Sequence, residues 1–205
     1  MRAMPEGWIG SAAVVAGAIA VLCLFGAVSA SADSRDFVVD QSCDSFDTCG
    51  FWSLWFYSPM GEEFVPDLDR LDVVEFQTAD MGSGSDTLGA LLRVDVHRNT
   101  IYDPVLGSSD LVDLPHGFQG VTRFEFAAPV SVEPGAVHVI ELVHVAGENW
   151  GGGLRGLFAD ICPGGRPIWN GEPMEYDDFW FREGVLGVSA AETSSWGVIK
   201  ALYRE

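Results

Sequence analysis

The sequence has almost no lysine. Lys200 is the single one, beside ten arginines, set against 30 aspartates and glutamates, and the formal net charge is −19 at pH 7. It therefore lacks the basic footprint that nucleic acid requires. An acidic chain is compatible with calcium or with a neutral ligand such as a sugar. The chain also lacks a nucleophile elbow, a P-loop, a His-Glu-x-x-His helix and an EF-hand loop. Glycosidase chemistry needs two carboxylates facing each other across a cleft about 5 to 9.5 Å wide. With this many acids chance pairs are unavoidable, and no pair has a spacing that recommends it, so the sequence points away from an enzyme. Helical periodicity of useful length is missing before Gly187, and no C-x-x-C pair is present among Cys23, Cys43, Cys49 and Cys162.

What is present begins with a short basic start at Arg2 and a run from Ile9 to Val28 that is almost purely small or apolar. Val28-Ser29-Ala30-Ser31-Ala32 then offers small-x-small cleavage after Ala30 or Ala32. This pattern predicts a secretory signal peptide over residues 1–32. The alternative is a retained membrane anchor, since about 20 apolar residues suffice to span a bilayer. Cys23 follows Leu22 rather than a small residue, so it does not mark a lipoprotein. About 170 residues remain, enough for one domain with its own core.

From residue 33 onward the pattern is of strands. In the stretch Val121 to Val145, Phe124 and Phe126 alternate with Arg123 and Glu125, as in a half-buried strand. Ala136 to Val145 is apolar on both faces except at His138, Glu141 and His144, and reads as a central strand. Pro129 and Pro134-Gly135 fall between them, which suggests a hairpin. Further strands are expected at Asp36–Gln41, at the aromatic run Phe51–Tyr57, at Leu71–Thr78, Leu88–Arg98 and Leu154–Asp160, and at Asp177–Val185. Turn residues punctuate them, including Asp103-Pro104 and Asn170-Gly171. Residues 33–186 are expected to form an all-β sandwich of antiparallel strands. Residues 187–205 are read as a linker and a short tail, in which Trp196, Ile199 and Tyr203 share one helical face.

Export permits disulfides, and Cys43 and Cys49 are close enough to close a small loop, leaving Cys162 free. His138 and His144 lie about 20 Å apart along a strand and do not form a metal pair. Glu141 sits in an otherwise apolar stripe, and a buried carboxylate must be paired. Arg123, Arg155 or Arg182 would supply the partner; alternatively Glu141 faces a ligand on an exposed sheet. Trp52, Trp55 and Trp180 are expected in the core. Trp150 and Trp169 fall in or beside loops, where an indole face can stack on a sugar.

A resemblance gathers these readings. It is carried by Leu71-Asp72-Val73-Val74-Glu75, Val105-Leu106-Gly107, Leu114-Pro115-His116-Gly117-Phe118, Val139-Ile140-Glu141-Leu142-Val143, Asn149-Trp150-Gly151, Pro163-Gly164-Gly165 and the ending Asp178-Phe179-Trp180-Phe181-Arg182. Over about residues 36 to 186 the chain resembles the carbohydrate-binding-like jelly-roll modules of exported bacterial proteins. That implies a jelly-roll sandwich, secreted or on the cell surface, that binds a polysaccharide or cell-surface polymer without turning it over. Trp150, Trp169, Glu141 and Arg182 are its expected contacts. The resemblance also implies a structural calcium near the first and last strands, with Asp40 and Asp177 or Asp178 as ligands. The tail resembles the ends of exported bacterial proteins. It would then be a sorting tag read by the export machinery, and the sandwich a surface-displayed structural body.

Overall fold

The computed structural model describes residues 37–44, 47–48, 50–81, 89–147, 151–160, 162 and 164–187. The expected signal peptide, Trp150 and the tail from residue 188 lie outside them, and Gly187 is the last residue described. All described residues fall within one unit, Arg35–Glu205.

The elements in order are β1 (Phe37–Cys43), β2 (Gly50–Ser53), α1 (Leu54–Tyr57), β3 (Gly61–Phe64), β4 (Arg70–Asp80), β5 (Ala90–Arg98) and β6 (Val105–Ser108). They continue with β7 (Val112–Leu114), β8 (Gln119–Ser131), β9 (His138–Ala146), β10 (Gly152–Leu157), β11 (Pro167–Trp169), β12 (Glu172–Pro173), β13 (Asp178–Phe179) and β14 (Phe181–Leu186). The described fold is all-β apart from the single turn α1. The strands form two sheets in which every pairing is antiparallel. The first runs β1-β14-β4-β10-β13, with β2 also on β10 and β8 also on β4. The second runs β12-β11-β3-β9-β5-β6, with β7 also on β5.

One core joins them. Phe76, Phe124, Phe179 and Leu154 come from the first sheet; Phe64, Leu92, Val94, Ile140 and Leu142 come from the second. All of these are fully buried, and each contributes about 1.5–3 kcal/mol by leaving water. Period two decides which side chains take part: Phe124 and Phe126 point in, while Arg123 and Glu125 point out.

The same alternation corrects the expected hairpin. β8 belongs to the first sheet and pairs with β4, whereas β9 lies inside the second sheet between β3 and β5. Phe124 on β8 and Ile140 on β9 bury into one core from opposite sides, so the two strands cannot be neighbours in one sheet. The connection through Pro134-Gly135 crosses between sheets. Pro129 falls where the β4–β8 register shifts, between the pairs Leu71–Val130 and Val73–Glu125. A residue without an N–H is tolerated at such a break.

The aromatic run after Cys49 is also not one strand. Ser53 caps a single helical turn, its Oγ accepting from the Trp55 N–H at 3.3 Å. The turn ends the alternation: Leu54 stays buried, while Trp55 and Phe56 are 69% and 72% exposed. Trp52 and Trp180 are in the interior as expected; Trp55 is not.

Cys43 is bonded to Cys162 rather than to Cys49. Cys43 ends β1 opposite Phe181 and points inward, toward the segment after β10. The two Cα atoms are 5.6 Å apart, within the range a disulfide spans without moving the backbone. Cys49 lies outside the described residues.

Candidate functional site

A concavity lies at one end of the second sheet's outer face. Along β5, Leu92, Val94 and Val96 belong to the core, so Arg93, Asp95 and His97 point the other way. Val139 and Glu141 do the same on β9, and Glu63 on β3. Over this face pass the loop 99–104, joining β5 to β6, and the hairpin β11–β12. Ile101 from the loop and Ile168 from β11 close on Val139 as a second small apolar cluster.

The loop is held at both ends. The Asn99 N–H donates to the Val137 carbonyl at 3.0 Å, and the Asp103 N–H donates to the Thr100 carbonyl at 3.1 Å. Asn99 adopts φ 60°, a left-handed conformation that asparagine tolerates better than most residues. Beneath it, His97 Nδ1 is 2.7 Å from the Asp103 carbonyl and Nε2 is 3.0 Å from Glu141 Oε2. Burial pulls the His97 pKa down, but the bonds to Glu141 and Asp103, with the charges of Glu141 and Asp95, outweigh it and leave it raised.

The hairpin β11–β12 turns at Asn170-Gly171, with φ 52° and 81°. Two consecutive positive values are what a tight two-residue hairpin requires, and Asn-Gly supplies them at little cost. The two N–H groups donate to the carbonyls of Tyr57 and Pro59 at 2.8 and 3.0 Å. Tyr102 leans onto this turn, its hydroxyl donating to the Asn170 carbonyl at 3.4 Å. A Cβ at Gly171 would sit 1.8 Å from that hydroxyl.

Between loop and hairpin is a cleft of about 360 Å³. Its floor is Ile101 and Ile168, and its walls carry Tyr102, Arg166, Glu63, Asn99, Glu172 and Pro173. Tyr102 is 67% exposed. Arg166 grips Glu63 with two bonds, of 2.8 and 3.1 Å. The bond to Glu63 raises the arginine's pKa further, so the guanidinium is permanently charged. An apolar floor, an aromatic wall and a few fixed polar groups make up the usual lining of a small-ligand pocket.

Of the expected contacts, the described ones, Trp169, Glu141 and Arg182, do not line this cleft. Trp169 lies on the adjacent hairpin but turns its ring toward the interior, 5.5 Å from Trp52 and 5.4 Å from Tyr57. It is half-buried, and its Nε1 has no hydrogen-bond partner among the described residues. Glu141 is on the outer face, but its partner is His97 and no arginine. Arg123, Arg155 and Arg182 belong to the other sheet, where they meet Glu75 and Glu125, Thr48 and Gln119, and Asp44. The sandwich separates them from Glu141. Arg182 stacks 5.0 Å over Trp180 and reaches Glu75 at 3.7 Å. Burial acts to raise the Asp44 pKa, but the bonds from Arg182 and Ser42 prevail and hold that carboxyl below its usual range.

Asp40 is the extra residue in a β1 bulge, between the pairs Val39–Gly184 and Gln41–Glu183. Its Oδ2 accepts the Asp67 and Leu68 N–H groups at 2.9 and 3.0 Å. Asp178 accepts from the Cys162 N–H at 2.9 Å, and its carboxylate lies within 4.8 Å of the Cys43 sulfur. Three residues of strand, about 10 Å, separate Asp40 from Cys43, so Asp40 and Asp178 belong to different surroundings. Burial raises the pKa of Asp177.

Tyr102, Asn99, Arg166, Glu63 and Glu172 were not legible as a group. Asp103-Pro104 and Asn170-Gly171 marked the two turns, but nothing in the sequence places one against the other. No protein-family model, curated protein or solved structure matches the chain.

Proposed function

We propose that the chain is an exported, non-catalytic binding module of jelly-roll type that holds a neutral glycan or surface polymer in the cleft between Tyr102 and Arg166. One observation carries the reading: an exposed aromatic ring and a fixed Arg166–Glu63 pair stand over an apolar floor in a cleft of about 360 Å³. That volume is near the lower end of the roughly 300–1,000 Å³ of small-molecule pockets, a fit for a short stretch of a polymer. Sugar rings present an apolar face to an aromatic ring and hydroxyls to paired charged groups. The net charge of −19 favours a neutral polymer over an acidic one. Export is supported by the Cys43–Cys162 bond, since disulfides persist in oxidising compartments.

The test is retention of the full chain on soluble and insoluble neutral polysaccharides, with Tyr102→Ala and Arg166→Ala beside it. Selective retention lost by at least about tenfold in both variants supports the reading. Retention unchanged in both places the site elsewhere, and no retention on any polymer removes the reading.

A second reading, a surface-displayed structural protein, draws on Trp55, Phe56 and Phe158, all largely exposed, on β2–α1–β10 neighbours. Trp55→Ser with Phe56→Ser leaving surface association unchanged would remove it.

A further inference from the structure

The loop 99–104 carries Tyr102 to the cleft, and its two ends are held unequally. At the first end the Asn99 N–H donates to the Val137 carbonyl at 3.0 Å, and the Thr100 N–H donates to the Arg98 carbonyl at 2.7 Å. At the second end β6 begins on a register shift: Gly107 pairs with Val96 and Val105 with His97, which leaves Leu106 as the extra residue. Between that irregular start and Tyr102, the loop is tied to the sheet by the Asp103 carbonyl, 2.7 Å from His97 Nδ1. Tyr102 adds only a long contact of its own, 3.4 Å from its hydroxyl to the Asn170 carbonyl.

His97 can maintain that tie in one protonation state only. Both of its neighbours are acceptors: the Asp103 carbonyl, and Glu141 Oε2 at 3.0 Å. A charged imidazole donates to both, whereas a neutral one has a single N–H. The carboxylate is the stronger acceptor, since a bond to an ionised partner is roughly twice as strong as a bond between neutral groups. The remaining N–H therefore stays on Nε2, toward Glu141. Nδ1 then presents a lone pair to a carbonyl oxygen, and that oxygen loses its donor.

The other charged groups of this region have partners of their own. Asp95, on the ring's own strand, is bound by Arg93 through two bonds of 2.9 Å. Glu63 on β3 is held by Arg166. The Asp103 carboxylate faces Asn99 Nδ2 at 3.5 Å, and Arg98 pairs with Glu133. Glu141 from β9 is thus the carboxylate that competes with the loop for the ring's proton.

We propose that His97 is a proton-operated latch on the cleft: the charged ring holds loop 99–104 down with Tyr102 as the aromatic wall, and the neutral ring releases the Asp103 carbonyl and lets Tyr102 leave the Asn170-Gly171 turn. The cleft is complete in acid and loses its wall as pH rises. A neutral polymer is accordingly captured at low pH and released at high pH. This last consequence rests on the cleft being the binding site; the latch does not.

The experiment is NMR of the full chain carrying ¹³C in its histidine and tyrosine rings, titrated from about pH 5 to pH 9. Tyr102→Phe identifies the Tyr102 signal among the four tyrosines, and His97→Gln identifies the imidazole. In wild type the Tyr102 signal is expected to change with the midpoint of His97, above 6.5. Glu141→Gln is expected to keep the loop down throughout: its amide donates to a neutral Nε2, which leaves the ring's N–H on Nδ1 for the Asp103 carbonyl. A Tyr102 signal that stays constant while His97 titrates overturns the latch, and so does a Glu141→Gln chain in which Tyr102 moves as in wild type. The wild-type titration decides the matter even where that variant does not fold. Retention on neutral polysaccharide, run in parallel, is expected to fall at least about fivefold between pH 5.5 and pH 9 in wild type and to stay level in Glu141→Gln. Level wild-type retention beside a moving Tyr102 overturns capture and release. A moving Tyr102 with no retention at any pH supports the latch and removes the cleft as a polymer site.

Discussion

His97 holds Glu141 and the loop 99–104 with its two ring nitrogens at once: Nε2 is 3.0 Å from Glu141 Oε2, and Nδ1 is 2.7 Å from the Asp103 carbonyl. Only the protonated ring donates to both acceptors. Loop position, and with it Tyr102, is thereby tied to the charge of a buried imidazole.

Glu141→Gln removes the charge that does most to hold that proton, so the His97 pKa should fall. The sign follows from the raised value. Stability from the charged ring is fully present below its ordinary 6.5 and is lost as pH rises through the higher folded value. A histidine side-chain NMR titration reads the shift directly. An unchanged His97 titration in the variant would contradict the pairing.

Glu183 predicts a second pH effect. Burial first, then the charges of Asp40 and Asp67, push its pKa from 4.5 to about 8 against a backbone bond from Gln41. The protonated form is the one the fold favours. Its contribution is therefore complete below about pH 4.5 and disappears by about pH 8. Between these limits stability should fall by about 1.4 kcal/mol per pH unit from this group alone. Glu183→Gln should flatten that slope and unfold later at pH 8. Denaturant midpoints at pH 5 and pH 8, both with chelator, decide it; parallel profiles for variant and wild type would refute the assignment.

Reducing the Cys43–Cys162 bond, or replacing Cys43 by Ser, should cost about 3–5 kcal/mol, because the closure spans 119 residues of sequence. Urea midpoints with and without reductant measure it. A non-reduced peptide map should join Cys43 to Cys162; a map joining Cys43 to Cys49 would reject the arrangement.

Gly171→Ala should damage the cleft rather than the core. The residue has φ 81°, and its new Cβ would fall 1.8 Å from the Tyr102 hydroxyl. The left-handed conformation alone costs about 1–2 kcal/mol for a side-chain residue. Tm should drop by several degrees and polymer retention should weaken with it. A variant with wild-type retention would show that Tyr102 need not rest on this turn.

Much of the strand pattern could be read from alternation. The stretches at Leu71–Thr78, Ala90–Arg98 and Phe124–Phe126 form strands where their apolar spacing places them. Alternation says which face is buried but not which sheet receives it, and so β8 and β9 were paired when they face each other. It also fails where one hydroxyl intervenes: Ser53 turns Trp55 outward, and an aromatic run gives no warning of that. The cysteine pairing was decided by the inward aim of Cys43 at the end of β1, a property of register rather than of spacing. The cleft was the least accessible. Glu63, Asn99, Tyr102 and Arg166 come from three separated segments, and only the folded sheet brings them within reach of one ligand.

The covalent closure between Cys43 and Cys162 has a consequence beyond thermodynamics. Every described strand from β2 to β10 lies inside one closed ring of chain, while Arg166 and the strands β11 to β14 lie outside it. A protease that cut the backbone once within the ring would release nothing: both pieces would stay tethered through the sulfurs and held by the sheets. A cut between Cys162 and Arg166 would leave the piece that carries Arg166 with no covalent tether, held only by the pairings of β11 and β14. Resistance to digestion in a protease-rich medium should therefore be set by the short stretch between Cys162 and β11, and not by the longer loops before it.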